Sequence, residues 1–244
     1  MDKRTVIFKD LGLIEYKDAW DYQESLLQEN VRIKSLMRQS QQQAEQLPGA
    51  PSLMLDTVNH FLFCEHPPVY TLGKSGNKEH VLLSDEELKE HDIQFYNTNR
   101  GGDITFHGLQ QIVGYPILDL EKFSTDIGKY LRNLEEIIIL TIEEFGIKGE
   151  RSAGETGVWI EPGIIGKERK ICAIGVRCSR WITMHGFALN VNTNLDYFNH
   201  IIPCGIQNKQ VTSIKKELGE AVDYDLVKKK IKKHFSSVFD VELL

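Results

Sequence analysis

Cys204 lies between Pro203 and Gly205 in Ile201-Ile202-Pro203-Cys204-Gly205-Ile206. This apolar run, broken by turn formers, would set a small thiol at a strand end or loop, where it can act as a nucleophile. At an ordinary pKa of about 8.5 only a few per cent of a thiol is thiolate at pH 7, so attack needs a base or cation beside it. Lys170 is one candidate. It is the last polar residue before the strand-like Ile171-Cys172-Ala173-Ile174-Gly175-Val176, and the end residue of such a strand can point inward. An amine with a pKa of about 10.4 must be depressed by burial before it accepts a proton, at roughly 1.4 kcal/mol per unit, a cost sustained at functional sites. His107 in Phe106-His107-Gly108 and His185 in Met184-His185-Gly186 are rival activators, since imidazole is the commonest general base. A thiol with any of these partners suggests acyl transfer through a thioester.

Arg100-Gly101-Gly102-Asp103-Ile104-Thr105-Phe106-His107-Gly108 sets two glycines before a strand, so that the backbone can approach a ligand where a Cβ would intrude, and Arg100 could then pair with a phosphate. Taken alone, the same residues read as a glycine turn with a solvated arginine. The glycine spacing is neither that of a P-loop nor that of a dinucleotide-binding turn. Glu65-His66-Pro67-Pro68-Val69-Tyr70-Thr71-Leu72-Gly73 ends one strand, turns at the two prolines and begins another.

The elements that must hold these residues follow from periodicity. Trp20, Leu26, Leu27, Val31 and Leu36 predict a long amphipathic helix from Lys17 to about Gln46, stopped by Leu47-Pro48-Gly49-Ala50-Pro51. Short strands are expected at Thr5-Phe8, Phe61-Cys64, Val69-Leu72, Ile93-Tyr96, Ile104-Phe106 and Gln111-Tyr115. A later group covers Gly157-Ile160, Lys170-Arg177 and Trp181-Leu189. Helices are expected at Ser84-His91, where Ser84 and Glu87 form a capping box, and at Ser124-Phe145 with Ile127, Leu131, Leu134, Ile137, Ile138 and Ile142 on one face. Two more are expected near Thr212-Leu218 and Tyr224-Phe239. Strands and helices intermix without βαβ alternation, so the fold expected is α+β, a two-layer arrangement with a mixed sheet flanked by helices. One domain is expected over the 244 residues.

A formal charge of −6 argues against sequence-independent nucleic-acid binding. No signal peptide and no membrane span is expected, which places the protein in the cytoplasm, where Cys64, Cys172, Cys178 and Cys204 would stay reduced. A metal site from Cys172, Cys178 and His185 matches no zinc spacing, so no metal is expected. Basic residues gather at Lys167, Arg169, Arg177 and Arg180, and along Lys228, Lys229, Lys230, Lys232 and Lys233; the first group could steer an acidic partner, while the second reads as a solvated helix face.

Taken together, Arg100 to His107, Gly157-Val158-Trp159, Lys170 to Gly175, and His185-Gly186-Phe187-Ala188-Leu189-Asn190-Val191-Asn192 running on to Pro203-Cys204-Gly205 resemble the lipoyl(octanoyl) transferase family. The resemblance runs from about Glu65 to Gly205. It implies the fold shared with biotin and lipoate protein ligases, and transfer of an octanoyl group from acyl carrier protein to a lysine of a lipoyl domain or glycine-cleavage carrier protein, without a cofactor. It assigns Cys204 the acyl thioester and Lys170 the protons, and lines the acyl and pantetheine site with Arg100, Gly101, Gly102, His107, Gly175, His185, Gly186 and Ala188. Leu109-Gln110 stands where Pro-Gly is expected, which questions the shape of the acyl pocket, and Cys172 stands where alanine is usual. The rival readings are an ATP-dependent lipoate or biotin ligase, which needs no cysteine, and a carrier-protein binding module with a degenerate site.

Overall fold

The computed structural model describes residues 4–46, 54–202 and 210–244. In chain order the elements are β1 (Arg4–Leu13), α1 (Tyr16–Gln46), β2 (His60–Glu65), β3 (Val69–Leu72), α2 (Asp85–Glu90), β4 (Gln94–Asn97), β5 (Ile104–His107), β6 (Gln111–Ile117), α3 (Ile127–Glu143), β7 (Val158–Ile160), β8 (Arg169–Ser179), β9 (Ile182–Asn190), β10 (Gln210–Val211), α4 (Ile214–Leu218), α5 (Tyr224–Phe239) and β11 (Val241–Leu243). Short 3₁₀ turns lie at Lys78–His80, Leu120–Lys122 and Leu195–His200.

Eight strands form a mixed sheet in the order β10-β8-β9-β6-β2-β1-β11, with β7 also paired to β8. Its centre, β8-β9-β6-β2, is antiparallel, while β1 runs parallel to both β2 and β11, and β10 runs parallel to β8. Alternate side chains of one strand point to opposite faces, and the sequence uses both. Phe61, Phe63, Phe187 and Leu189 pack with α3 and α5, whereas Leu62, Cys64, Met184 and Ala188 pack with α1. The flanking helices therefore fall on both faces of the sheet, and every residue of β6 and β9 is buried. Phe235 of α5 stacks on Phe61 with centroids 4.0 Å apart, and truncating such a ring to alanine costs about 3–5 kcal/mol.

Helix α1 seats itself through Ala19, Gln23, Leu27 and Asn30, which recur every three or four residues along its buried stripe. Asn30 and Val58 exchange two hydrogen bonds, Asn30 Nδ2 to Val58 O at 2.8 Å and Val58 N to Asn30 Oδ1 at 2.9 Å. The capping box at Ser84 and Glu87 is formed, and Asp126 and Asp223 cap α3 and α5.

β3, β4 and β5 make a separate three-stranded sheet, β4-β3-β5. The sequence reading did not separate these strands from the rest. The reason lies at Pro67 and Pro68, which bring no N–H to a ladder, so pairing of β2 with β6 ends before them and the chain leaves the large sheet. No described helix is long and apolar enough to cross a membrane.

Candidate active site

A cavity of about 340 Å³ opens where the face covered by α1 meets the small sheet. Val113 and Tyr115 of β6, Ala173 and Gly175 of β8, and Gly186 and Ala188 of β9 line it from the large sheet. Gly102 to Thr105 and His107 line it from the small one, with Tyr16 at the start of α1. Of the residues expected from the sequence, Arg100, Gly102, His107, Lys170, Gly175, His185, Gly186 and Ala188 all face this space. Gly101 does not line it; its N–H donates to Val176 O at 2.9 Å and ties the small sheet to β8. Cys204 lies outside the described residues.

Arg100 closes the roof. Its Nη2 donates to Thr71 O at 2.5 Å and to Thr71 Oγ1 at 2.9 Å, and its Nη1 donates to Gly101 O at 3.1 Å. The guanidinium thus fastens β3 to the glycine turn. Gly175 is glycine because a Cβ there would come within 2.8 Å of Gly101 O and 3.2 Å of Arg100 Cδ.

From Arg100 a directed chain of hydrogen bonds runs along the wall. Thr71 Oγ1 accepts from Arg100 and donates to His107 Nε2 at 3.3 Å, and His107 Nδ1 donates to Gln111 Oε1 at 2.9 Å. Gln111 Nε2 donates to Phe106 O and to Asn190 Oδ1, Asn190 Nδ2 donates to Thr212 O at 3.0 Å, and Thr212 N donates to Lys170 O at 2.9 Å. The sequence reading missed Thr71 and Gln111 and gave Asn190 no role of its own. The signal for all three was the same: a polar residue set among apolar ones in a strand buried throughout, which must find its partners inside the protein.

Neither histidine is suited to be the base. Burial, then the neighbouring His66 and Arg100, holds His107 well below the usual imidazole range. Burial, then Arg100 and Arg177, pushes His185 down to about 3. A base that weak does not take a proton from a thiol near neutral pH. His185 is placed by its ring Nε2 against Asn99 Oδ1 at 2.7 Å and by its backbone N–H on Gln23 Oε1 at 2.9 Å, with φ at 58°.

Lys170 is half-buried at the start of β8, opposite Trp159 of β7 on one side and Val211 of β10 on the other. Its Nζ stands 4.5 Å from the centre of the Trp159 ring. The two described ends that flank residue 204 reach the same neighbourhood. Phe198 and Val211 both line the cavity, Ile202 N donates to His80 O at 2.8 Å, and Ile201 bridges to Val81.

Leu109 and Gln110 do not line the cavity. Gln110 takes the left-handed conformation, φ 61°, that a glycine adopts freely; its carbonyl accepts from Val191 N, Asn192 N and Thr193 Oγ1, and its Oε1 accepts from Asn192 Nδ2. Cys172 and Cys178 are six residues apart on one extended strand, about 20 Å, too far to share an ion. The basic group near the site is largely neutralised: Arg169 pairs with Glu161 and Glu217, and Arg177 with Glu24.

Residues 15–236 match the family described as the lipoyl protein ligase A/B catalytic domain. An octanoyltransferase of Christiangramia forsetii is 54% identical over 241 residues, 98% of either chain, and one of Flavobacterium psychrophilum is 55% identical over 242 residues, 99% of either chain. Among solved structures, a bipartite lipoate protein ligase of Thermoplasma acidophilum superposes with a TM-score of 0.65 at 16% identity, covering all of this chain and 86% of its own. A lipoate-protein ligase A bound with ATP gives 0.65 at 14% identity, covering all of this chain and 88% of its own.

Proposed function

Because the chain belongs to the lipoyl protein ligase A/B catalytic-domain family, we propose that its cavity receives an octanoyl chain, that Cys204 carries the acyl group as a thioester, and that Lys170 moves the protons. The enzyme is an octanoyltransferase of protein lipoylation. The donor in this reading is octanoyl acyl carrier protein, and the acceptor is a lysine of a lipoyl domain or of the glycine-cleavage carrier protein.

One observation carries the assignment of Lys170: it faces the cavity from β8 while Val211, on the strand that follows the Cys204 segment, pairs with it. Lys170 Nζ takes the Cys204 proton, and the sulfur attacks the carbonyl carbon of the donor thioester. The C–S bond to the donor breaks, and the departing thiolate takes the proton from Lys170. The acceptor amine then attacks the enzyme thioester, a C–N bond forms as the second C–S bond breaks, and the amine's proton returns through Lys170 to Cys204. Holding the partners in one cavity supplies most of what such a transfer needs. Burying seven carbons of the chain at about 0.8 kcal/mol each is worth about 6 kcal/mol.

The rival ATP-dependent ligase is disfavoured by the relatives at 54–55% identity, which are octanoyltransferases. Incubation with octanoyl carrier protein, followed by mass mapping of the modified residue, tests the reading. An octanoyl mass on Cys204 is expected, and it should be absent in Cys204→Ala; use of free octanoate with ATP, and no adduct from the carrier protein, would reject it.

A further inference from the structure

Glu135 is a carboxylate with no solvent exposure, set in α3 on the face of the sheet opposite the cavity floor. Its Oε2 accepts from Arg132 Nη1 at 2.5 Å and from Arg151 Nε at 3.1 Å, and its Oε1 accepts the backbone N–H of Gly157 at 3.1 Å. Two guanidiniums satisfy the charge; the bond to Gly157 is the one that reaches toward the site. Gly154, Glu155 and Thr156, just before it, line the cavity. Gly157 itself has φ 118°, and a Cβ on it would meet Cys172 O at 2.6 Å and the Lys170 Cδ and Cε atoms at 3.6 Å. Two residues on, the Trp159 ring lies beneath Lys170 Nζ.

We propose that Glu135 is a positioning residue for Lys170: it holds the Gly157 N–H and so fixes the short wall, Gly157 to Trp159, along which the lysine side chain lies. The stem rests where glycine leaves room, and Nζ rests on the indole face, an arrangement that restricts the amine to one place at the cavity edge. The inference rests on the proton-handling role proposed above for Lys170, but its test can be read without it.

Glu135→Asp keeps a charge for both arginines and shortens the reach to Gly157 by one methylene. Arg151→Ala removes one guanidinium, leaves the Gly157 bond, and serves as the control for stability. Each protein is treated with an amine-reactive reagent, the rate of modification at Lys170 is mapped by mass spectrometry, and octanoyl transfer is followed separately. Glu135→Asp should label severalfold faster at Lys170 and lose about 10- to 100-fold in kcat with KM little changed, while Arg151→Ala should label at the normal rate despite a lower melting temperature. Equal labelling in Glu135→Asp, or labelling that follows melting temperature in both variants, overturns the inference. If Lys170→Arg transferred octanoyl groups normally, the lysine's role would fall while the labelling comparison still stood. Should Glu135→Asp not fold, hydrogen exchange in the unsubstituted protein decides: the Gly157 amide should be protected like the centre of α3, and exchange at an exposed loop's rate refutes the bond.

Discussion

Val211 lies opposite Lys170 in the parallel ladder of β10 and β8, and Thr212 next to it donates its N–H to the Lys170 carbonyl at 2.9 Å. The chain that follows the Cys204 segment is thus tied, from Gln210 on, to the lysine's own strand. Lys170→Arg keeps a long basic side chain there but removes a group able to give and take a proton, because guanidinium stays charged in proteins. Octanoyl transfer should fall by about 10²–10⁴-fold, the usual worth of a general acid–base group, with the thermal unfolding curve little changed. A rate within a few-fold of normal would remove Lys170 from the mechanism.

The roof is predicted to fail on one methyl group. A Cβ at Gly175 would lie 2.8 Å from Gly101 O, a backbone atom that can yield only if the turn bearing Arg100 moves. Gly175→Ala should cost about 1–3 kcal/mol in urea unfolding, as overpacked sites do. It should also lower kcat/KM by about tenfold or more, since the cavity wall shifts with the turn. Unaltered kinetics together with unaltered stability would mean that the roof does not sit against β8 as described.

Much of this architecture was readable from the residue pattern, and the exceptions have physical causes. Periodicity placed α1 and α5 almost to the residue, because their apolar stripes are bounded by strong signals: Asp223 caps α5, and the α1 pattern runs out into polar Gln41 to Gln46. It could not separate β3, β4 and β5 into their own sheet, since pairing partners are set by tertiary packing rather than by strand propensity. Lys170, His107 and His185 were legible as chemical groups, but not the distinction among them. That depends on burial and on Arg100, a residue distant in sequence from His185 that shares its surroundings. β10 and β11 are two and three residues long, too short to show a period.

Gln110→Gly should be close to neutral. Glycine would relieve the left-handed backbone, worth about 1–2 kcal/mol. It would also add about 0.5–1 kcal/mol of unfolded-chain entropy and lose the bond from Asn192 Nδ2 to Gln110 Oε1, worth about 1 kcal/mol. The terms nearly cancel, and the turn lies outside the cavity, so unfolding free energy should change by less than about 1 kcal/mol and octanoyl transfer should not change. A clear loss of transfer in this variant would show that the turn touches the substrate after all.

Acid should unfold this protein earlier than its carboxylates alone would require. His66 is pushed down to about 4 and His185 to about 3, in both cases first by burial, and His107 is held well below 6.5 for the same leading reason. Each is neutral in the folded state, whereas in the unfolded chain each titrates at about 6.5. Below that pH the unfolded state binds more protons, so stability is present above about 6.5 and is lost as pH falls toward the folded values. Between pH 7.5 and 5.5 each site contributes a loss of about 1.4 kcal/mol, and the three together about 4 kcal/mol, a large share of a typical 5–15 kcal/mol. Glu144, held at about 2 by Lys230, Lys233 and His234, and Glu217, lowered chiefly by Arg169, follow the opposite order of protonation. Their contribution is intact above about 4.5 and disappears only below it, outside this window. Urea midpoints at the two pH values measure the difference, and imidazole proton shifts identify its source. Resonances of His66, His107 and His185 that titrate between pH 7 and 6 in the folded protein, or a stability change under about 1 kcal/mol, would show that these rings are not buried neutral.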